Sequence, residues 1–264
     1  MNKSILAFSL LGLLISGIVL ATPAEDAMRE YEEAMKLTPN LENGKKVYRI
    51  CAVCHTPEGW GLESGAYPQL AGQLRTVLIK QLADIRARNR DNPTMLPFTS
   101  PQLLGGIQEI ADVTAYIESL PMTPHNGVGP GIDLEWGEQL YKDNCTECHG
   151  DHGEGNMQDH IPVIYGQHYR YLLRQFEWIK SERRRNADRK MVKQIHGFTH
   201  RDIRAVLDYV SRIKPPEQKL AEPGWHNPDF PDFARPANLH SGAGYVIDQP
   251  PMPRPERGMP RIPQ

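Results

Sequence analysis

The sequence predicts an all-α protein of two small tandem domains followed by a proline-rich tail. Three observations carry this expectation. A stretch near residue 44 recurs near residue 137. Apolar residues in both copies recur at helical rather than alternating spacing. The proline content rises sharply after residue 214, where helical periodicity stops.

The extreme N-terminus reads as an export signal. Lys3 precedes an apolar run from Ile5 to Leu20, and Val19-Leu20-Ala21 offers a cleavage site, so residues 1–21 are assigned as a signal peptide. The apolar run is short for a membrane span, which needs about 20 residues. An uncleaved signal acting as a membrane anchor is the alternative. The formal net charge of −2 on 264 residues gives no global basic field of the kind that attracts nucleic acid. An acidic segment with Glu25, Asp26, Glu30, Glu32 and Glu33 follows the signal.

The repeat begins with Gly44-Lys-Lys-Val-Tyr48, echoed by Gly137-Glu-Gln-Leu-Tyr141. A first helix is expected over about 41–51 and again over about 134–145. Gly44 and Tyr48 share a helix face, as do Gly137 and Tyr141. A glycine there admits a second helix at close range, with Tyr116 and Tyr209 on the closing helices as partners. Downstream, Pro68, Gly72-Gln73 and Gln81 match Pro162, Gly166-Gln167 and Gln175, all at an offset of 94. A long amphipathic helix follows each Gly-Gln pair. Leu74, Val77, Leu78, Leu82 and Ile85 supply one apolar stripe, and Tyr171, Leu172, Phe176 and Ile179 the other. Closing helices are expected over about 106–120 and 199–213, the second opening with a Thr199/Asp202 capping box. Pro121 and Pro215 end them. These elements define a first domain over 38–120, a Pro/Gly-rich linker over 121–133, a second domain over 134–214 and a tail over 215–264.

All four cysteines fall in two C-x-x-C-H motifs, Cys51-Ala-Val-Cys54-His55 and Cys145-Thr-Glu-Cys148-His149. Thiols three positions apart can add to the two vinyl groups of one haem, and the adjacent histidine then lies under the iron. A zinc ribbon would pair its two motifs at about 15–20 residues, and a redox disulfide would need a thioredoxin-like strand pattern. Neither fits. Two covalent haem c groups are therefore expected. Pro68 and Pro162 each follow the proximal histidine by 13 residues, where a proline carbonyl can accept the imidazole N–H and fix the ring. Met95 and Met191, each ahead of a closing helix, are the expected sixth ligands, since a thioether suits low-spin iron. Met122 lies beyond its closing helix and is a poorer candidate. In the second domain His196 is the main rival to Met191, with His152, His160, His168 and His200 also nearby.

On these motifs, over about residues 38–214, the chain resembles the cytochrome c4 family of di-haem class I cytochromes. The resemblance implies two haem domains related by a pseudo-twofold axis, haem propionates meeting near the interface and His/Met ligation of both irons. It also implies a periplasmic carrier feeding a terminal oxidase or exchanging electrons with a respiratory dehydrogenase complex. Membrane association would come through the partner or the uncleaved signal. No substrate bond is then made or broken. A di-haem oxidoreductase, of peroxidase or sulfur-compound dehydrogenase type, is the enzymatic alternative; it would need an open iron position or a spare cysteine. The basic stretch Arg183–Arg185, Arg189, Lys190 and Lys193 can steer an acidic redox partner, pair with propionates, or be a solvated face. The long tail, with Trp225, Phe230, Phe233 and Tyr245, departs from the family pattern. It is expected either to be solvated, to dock on the chain's own body, or to tie the protein into a larger complex, from which deletion of residues 221–264 would release it.

Overall fold

The computed structural model describes residues 21–233. The signal segment and the last part of the tail, Tyr245 included, lie outside the described residues. Within them the chain forms nine α-helices and no strand, only isolated bridges at Met122–Leu220 and Asn156–Ile161.

In the first domain, α2 (Leu41–His55) starts at Asn40, whose side chain accepts from the Asn43 N–H, and α4 (Ile107–Ser119) closes the unit. These helices cross in van der Waals contact because residue 44 is glycine. A Cβ there would lie 2.3 Å from the Asp112 carbonyl oxygen. The Tyr48 and Tyr116 rings stack at 5.5 Å beside the crossing. The second domain repeats this with α5 (Leu134–Asn144) and α9 (His200–Arg212). A Cβ on Gly137 would approach the Ala205 carbonyl to 2.1 Å, and Tyr141 meets Tyr209 at 5.6 Å. Helices α3 (Arg75–Arg86) and α7 (Tyr169–Lys180) are the matching long elements, each burying its apolar stripe against the core of its own domain. The second motif departs slightly from the first. The helix breaks at Cys145, and a short α6 (Thr146–His149) carries the remainder, whereas α2 runs unbroken through His55.

Two helices go beyond the sequence expectations. The acidic segment folds as α1 (Pro23–Lys36), with Thr22 and Glu25 forming a capping box and Pro23 in the first turn. It packs on α3 and α4, burying Ala27 and Ala34 completely, and Glu30 pairs with Arg86 at 2.5 Å. The short α8 (Arg189–Ile195) is capped by Asp188. The tail is described as far as residue 233. It leaves the second domain, pairs with the linker through Met122 and Leu220, and crosses back onto the first domain, where Phe230 is 1% exposed against Tyr48.

Two sets of contacts across the domain interface match each other bond for bond. The Gln69 N–H donates to Gln167 Oε1 (3.0 Å) and Gln167 Nε2 donates to the Gln69 carbonyl (2.9 Å). At the repeat-equivalent positions, the Val163 N–H donates to Gln73 Oε1 (3.0 Å) and Gln73 Nε2 to the Val163 carbonyl (2.9 Å). Buried amides of this kind must be satisfied, and here each satisfies a backbone pair on the other domain. This is a pseudo-twofold axis written in hydrogen bonds.

Candidate functional site

In each domain the C-x-x-C-H motif sits at the C-terminal end of its first helix, followed by a glycine-bracketed loop. The loop folds back on itself identically in both copies. The Gly61 N–H donates to the His55 carbonyl and the Gly155 N–H to the His149 carbonyl. Both glycines have φ near +70°, and a Cβ at either would lie 2.4 Å from a backbone carbonyl oxygen, that of Pro68 or Tyr67 in the first copy and of Ile161 in the second. Only glycine fits such a position. The loop brings the Pro68 carbonyl to 3.1 Å from His55 Nδ1 and the Pro162 carbonyl to 3.2 Å from His149 Nδ1. Since a carbonyl only accepts, Nδ1 carries the hydrogen in each ring and the Nε2 lone pair is left free. Burial pushes the His55 pKa down to about 4 and lowers that of His149. Both rings are thus neutral near pH 7, as a metal-ligating imidazole must be.

The four cysteines form no disulfide. Burial, then the neighbouring thiol, pushes Cys51 and Cys145 up to about 12. Such thiols are the opposite of the low-pKa cysteines of redox disulfide enzymes.

The methionines are presented alike. The Met95 N–H donates to Asn92 Oδ1 and the Met191 N–H to Asp188 Oδ1, both at 3.2 Å and both three residues on. The segments around them are tied down by equivalent cations. Arg86 donates to the carbonyls of Thr99 and Gly105, and Lys180, its counterpart at the 94-residue offset, donates to the Phe198 carbonyl. Met191 packs half-buried on the core of its domain. His152, His196 and His200 are exposed, and His168 is buried at the domain interface with both ring nitrogens engaged by Gly127 and Trp60. His160 stacks on Tyr31 of α1. Met122 is buried against Val163 and Tyr165 at the interface.

One pair escaped sequence reading. Arg90 and Arg184 face each other across the pseudo-twofold axis. Arg90 donates to Gln81 (2.7 Å) and Gln175 (3.1 Å), and Arg184 donates to Gln175 and Gln81 (both 3.0 Å). Neither guanidinium makes an ion pair among the described residues. Burial, and then Arg90, push the Arg184 pKa down to about 9. Burial would raise the Tyr171 phenol, yet Arg90 and Arg184 outweigh it and hold the phenol below its ordinary value. Two guanidiniums held together, Arg90 buried and Arg184 half-buried, with no ion pair of their own among the described residues, fit acid groups brought in by a cofactor. The signal was present in the sequence, since Arg90 and Arg184 share the 94-residue offset of the cysteines. Of the basic stretch only Arg184 turns inward; Arg183, Arg185, Arg189, Lys190 and Lys193 are exposed.

Two helical domains, each ending its first helix in paired thiols and a carbonyl-held neutral imidazole, define a di-haem c-type cytochrome of the class I fold. The family model for cytochrome c matches residues 41–121 and 134–214. The chain belongs to that family, and its relatives place it with the di-haem cytochromes c4; it carries two covalently bound haem c groups. It is 30% identical over 178 residues to cytochrome c4 of Thiocapsa roseopersicina, covering 64% of this chain and 89% of the relative. It is 32% identical over 133 residues to the cbb3-type cytochrome c oxidase subunit FixP of Bradyrhizobium diazoefficiens, covering 46% and 43%. Among solved structures, reduced cytochrome c4 from Pseudomonas stutzeri superposes with a TM-score of 0.58 at 26% identity, over 70% of this chain and all of that one. Thiosulfate dehydrogenase TsdBA from Marichromatium purpuratum gives 0.55 at 25% identity, over 69% of this chain and 44% of that one.

Proposed function

We propose that this chain is an exported, periplasmic electron carrier whose two haems relay electrons between respiratory redox partners. The observation that carries the reading is the equivalence of the two sites. Each domain offers a neutral, oriented histidine and a methionine presented by an Asx hydrogen bond. Each iron would then have two protein residues to hold it, which would leave no position for a substrate.

Cys51 and Cys54 would tether the first haem, with His55 and Met95 as the residues that would hold its iron; Cys145, Cys148, His149 and Met191 would do the same for the second. Bound haem c supplies one-electron iron chemistry. The protein's part is to hold the histidines through Pro68 and Pro162, which fixes their orientation and basicity. Arg90 and Arg184 would take acid groups of the haems, which would offset the cost of holding two guanidiniums together away from water. The exposed cations beside Met191 steer an acidic partner toward the second domain in a salt-dependent encounter. Likeness to an oxidase subunit and to cytochromes c4 supports a terminal oxidase or respiratory dehydrogenase complex as partner. Likeness to TsdBA favours a second reading, a haem-bearing subunit of a di-haem oxidoreductase. No described helix is long and apolar enough to cross a membrane. Any membrane association would come through a partner or an uncleaved signal.

The visible spectrum of the reduced protein, before and after carbon monoxide, tests the carrier reading. An unchanged low-spin spectrum is expected. Ready binding of the gas at either haem would overturn it in favour of an enzyme.

A further inference from the structure

The two halves agree closely at their axis and differ at the loop behind each proximal histidine. In the first domain Pro57 and Glu58 are buried, Glu58 to 3% exposure, and His55 is 5% exposed. The equivalent Asp151 and His152 in the second domain are exposed, as is Cys148. The described part of the tail lies over the first of these loops. Asn227 Nδ2 donates to the Pro57 carbonyl at 2.6 Å and to the Tyr116 hydroxyl at 2.9 Å. The Tyr116 hydroxyl in turn donates to Asp229 at 2.9 Å, and Lys45 pairs with the same carboxylate at 2.6 Å. Trp225 stacks on Trp60 at 5.8 Å, and Phe230 packs edge-on against Tyr48. No described segment does this for the second domain, where Tyr209 is half-buried and Trp136 exposed.

We propose that residues 225–233 are a clasp that makes the two haems inequivalent, raising the potential of the first by closing the loop behind His55, with Asn227 as its positioning residue. The physical reason is charge. Oxidised haem carries one more positive charge than reduced haem, and withholding water destabilises the more charged form. The clasp adds little opposing field, since the Asp229 carboxylate is matched by Lys45 and Asp232 is exposed to screening solvent. With the clasp in place the shared electron is biased toward the first haem, leaving the more open second domain as the side that exchanges electrons with a partner.

The inference rests on both haems being loaded as His/Met centres, and its test separates from the test of that reading. Potentiometric titration of the full-length holoprotein should resolve two midpoints, the first haem being the component that Met95→Ala displaces. Asn227→Ala is expected to lower that midpoint, leave the second unmoved, and speed hydrogen exchange at residues 56–60. Phe230→Leu, which keeps the apolar seal, should retain the parent midpoint, whereas Phe230→Ala should lower it. A first midpoint unmoved in both alanine variants, or an equal shift of both haems, would overturn the clasp. Gas binding by the unaltered protein would instead sink the carrier reading.

Discussion

Replacing Gly44 by alanine should drive the first domain's two principal helices apart. The new Cβ would lie 2.3 Å from the Asp112 carbonyl oxygen, 2.7 Å from its carbon and 2.9 Å from Tyr116 Cβ, where real Cβ atoms essentially never come within 3.0 Å. The obstructing atoms are helix backbone and cannot rotate away, so α2 and α4 must separate by several tenths of an ångström. Alanine favours a helix interior over glycine by about 1 kcal/mol. Overpacking of a tight contact costs about 1–3 kcal/mol, and a backbone clash belongs at the upper end. The net expectation is a loss of about 1–2 kcal/mol, with the melting temperature falling by about 2–4 °C per kcal/mol for a chain of this size. Thermal unfolding of the holoprotein, followed by circular dichroism, measures it. Gly137→Ala should behave alike, since its Cβ would meet the Ala205 carbonyl at 2.1 Å. Gly197→Ala is the control, because no atom lies within 4 Å of its Cβ. A Gly44→Ala protein as stable as the parent would refute the close-crossing argument.

Met191→Ala should leave the second haem high-spin and open to carbon monoxide while His196→Ala leaves the spectrum unchanged; the reverse pattern would make the histidine the ligand. Gln73→Ala removes both side-chain bonds to Val163 and leaves a buried backbone pair unsatisfied, a cost of about 1–3 kcal/mol, and calorimetry should show the domains unfolding less cooperatively. Arg184→Gln deletes a half-buried positive charge, so potentiometry should find a lowered midpoint, and an unmoved one would show that no haem acid group reaches the pair. Electron transfer to an acidic partner should slow as ionic strength rises, and Lys190→Glu with Lys193→Glu should flatten that dependence; stopped-flow rates at several salt concentrations decide it.

What the sequence disclosed and what it hid have separable causes. The repeat exposed the Gly44/Tyr48/Tyr116 crossing and its twin because close contact restricts residue type at both members of the pair. Helix α1 was missed because its burial is narrow. Only Ala27 and Ala34 are fully buried, too small to mark an apolar stripe among so many acids, although Thr22, Pro23 and Glu25 spelled its start. Helix α8 is too short for periodicity to show, and its cap, Asp188, was the available cue. Arg184 was hidden inside a run of arginines whose other members face water. The tail's fate was undetermined because an Asn-Pro-Asp-Phe segment has no period. Its docking depends on a face, around Tyr48, Pro57 and Tyr116, assembled from residues far apart in the chain.

The paired glutamine bonds across the axis have one more consequence. Each contact couples a side chain of one half to a backbone of the other, and then recurs with the halves exchanged. A lone unit bearing this patch would be complementary to itself, so the molecule has the logic of a symmetric dimer whose subunits became one polypeptide. One side of each contact restricts its residue type and the other does not. Positions 73 and 167 contribute side chains and are glutamine in both halves; positions 69 and 163 contribute only backbone to the shared bonds, and there the halves differ, glutamine in one and valine in the other. Gln69 has used that freedom, sending its own amide to Gly166 and Thr123.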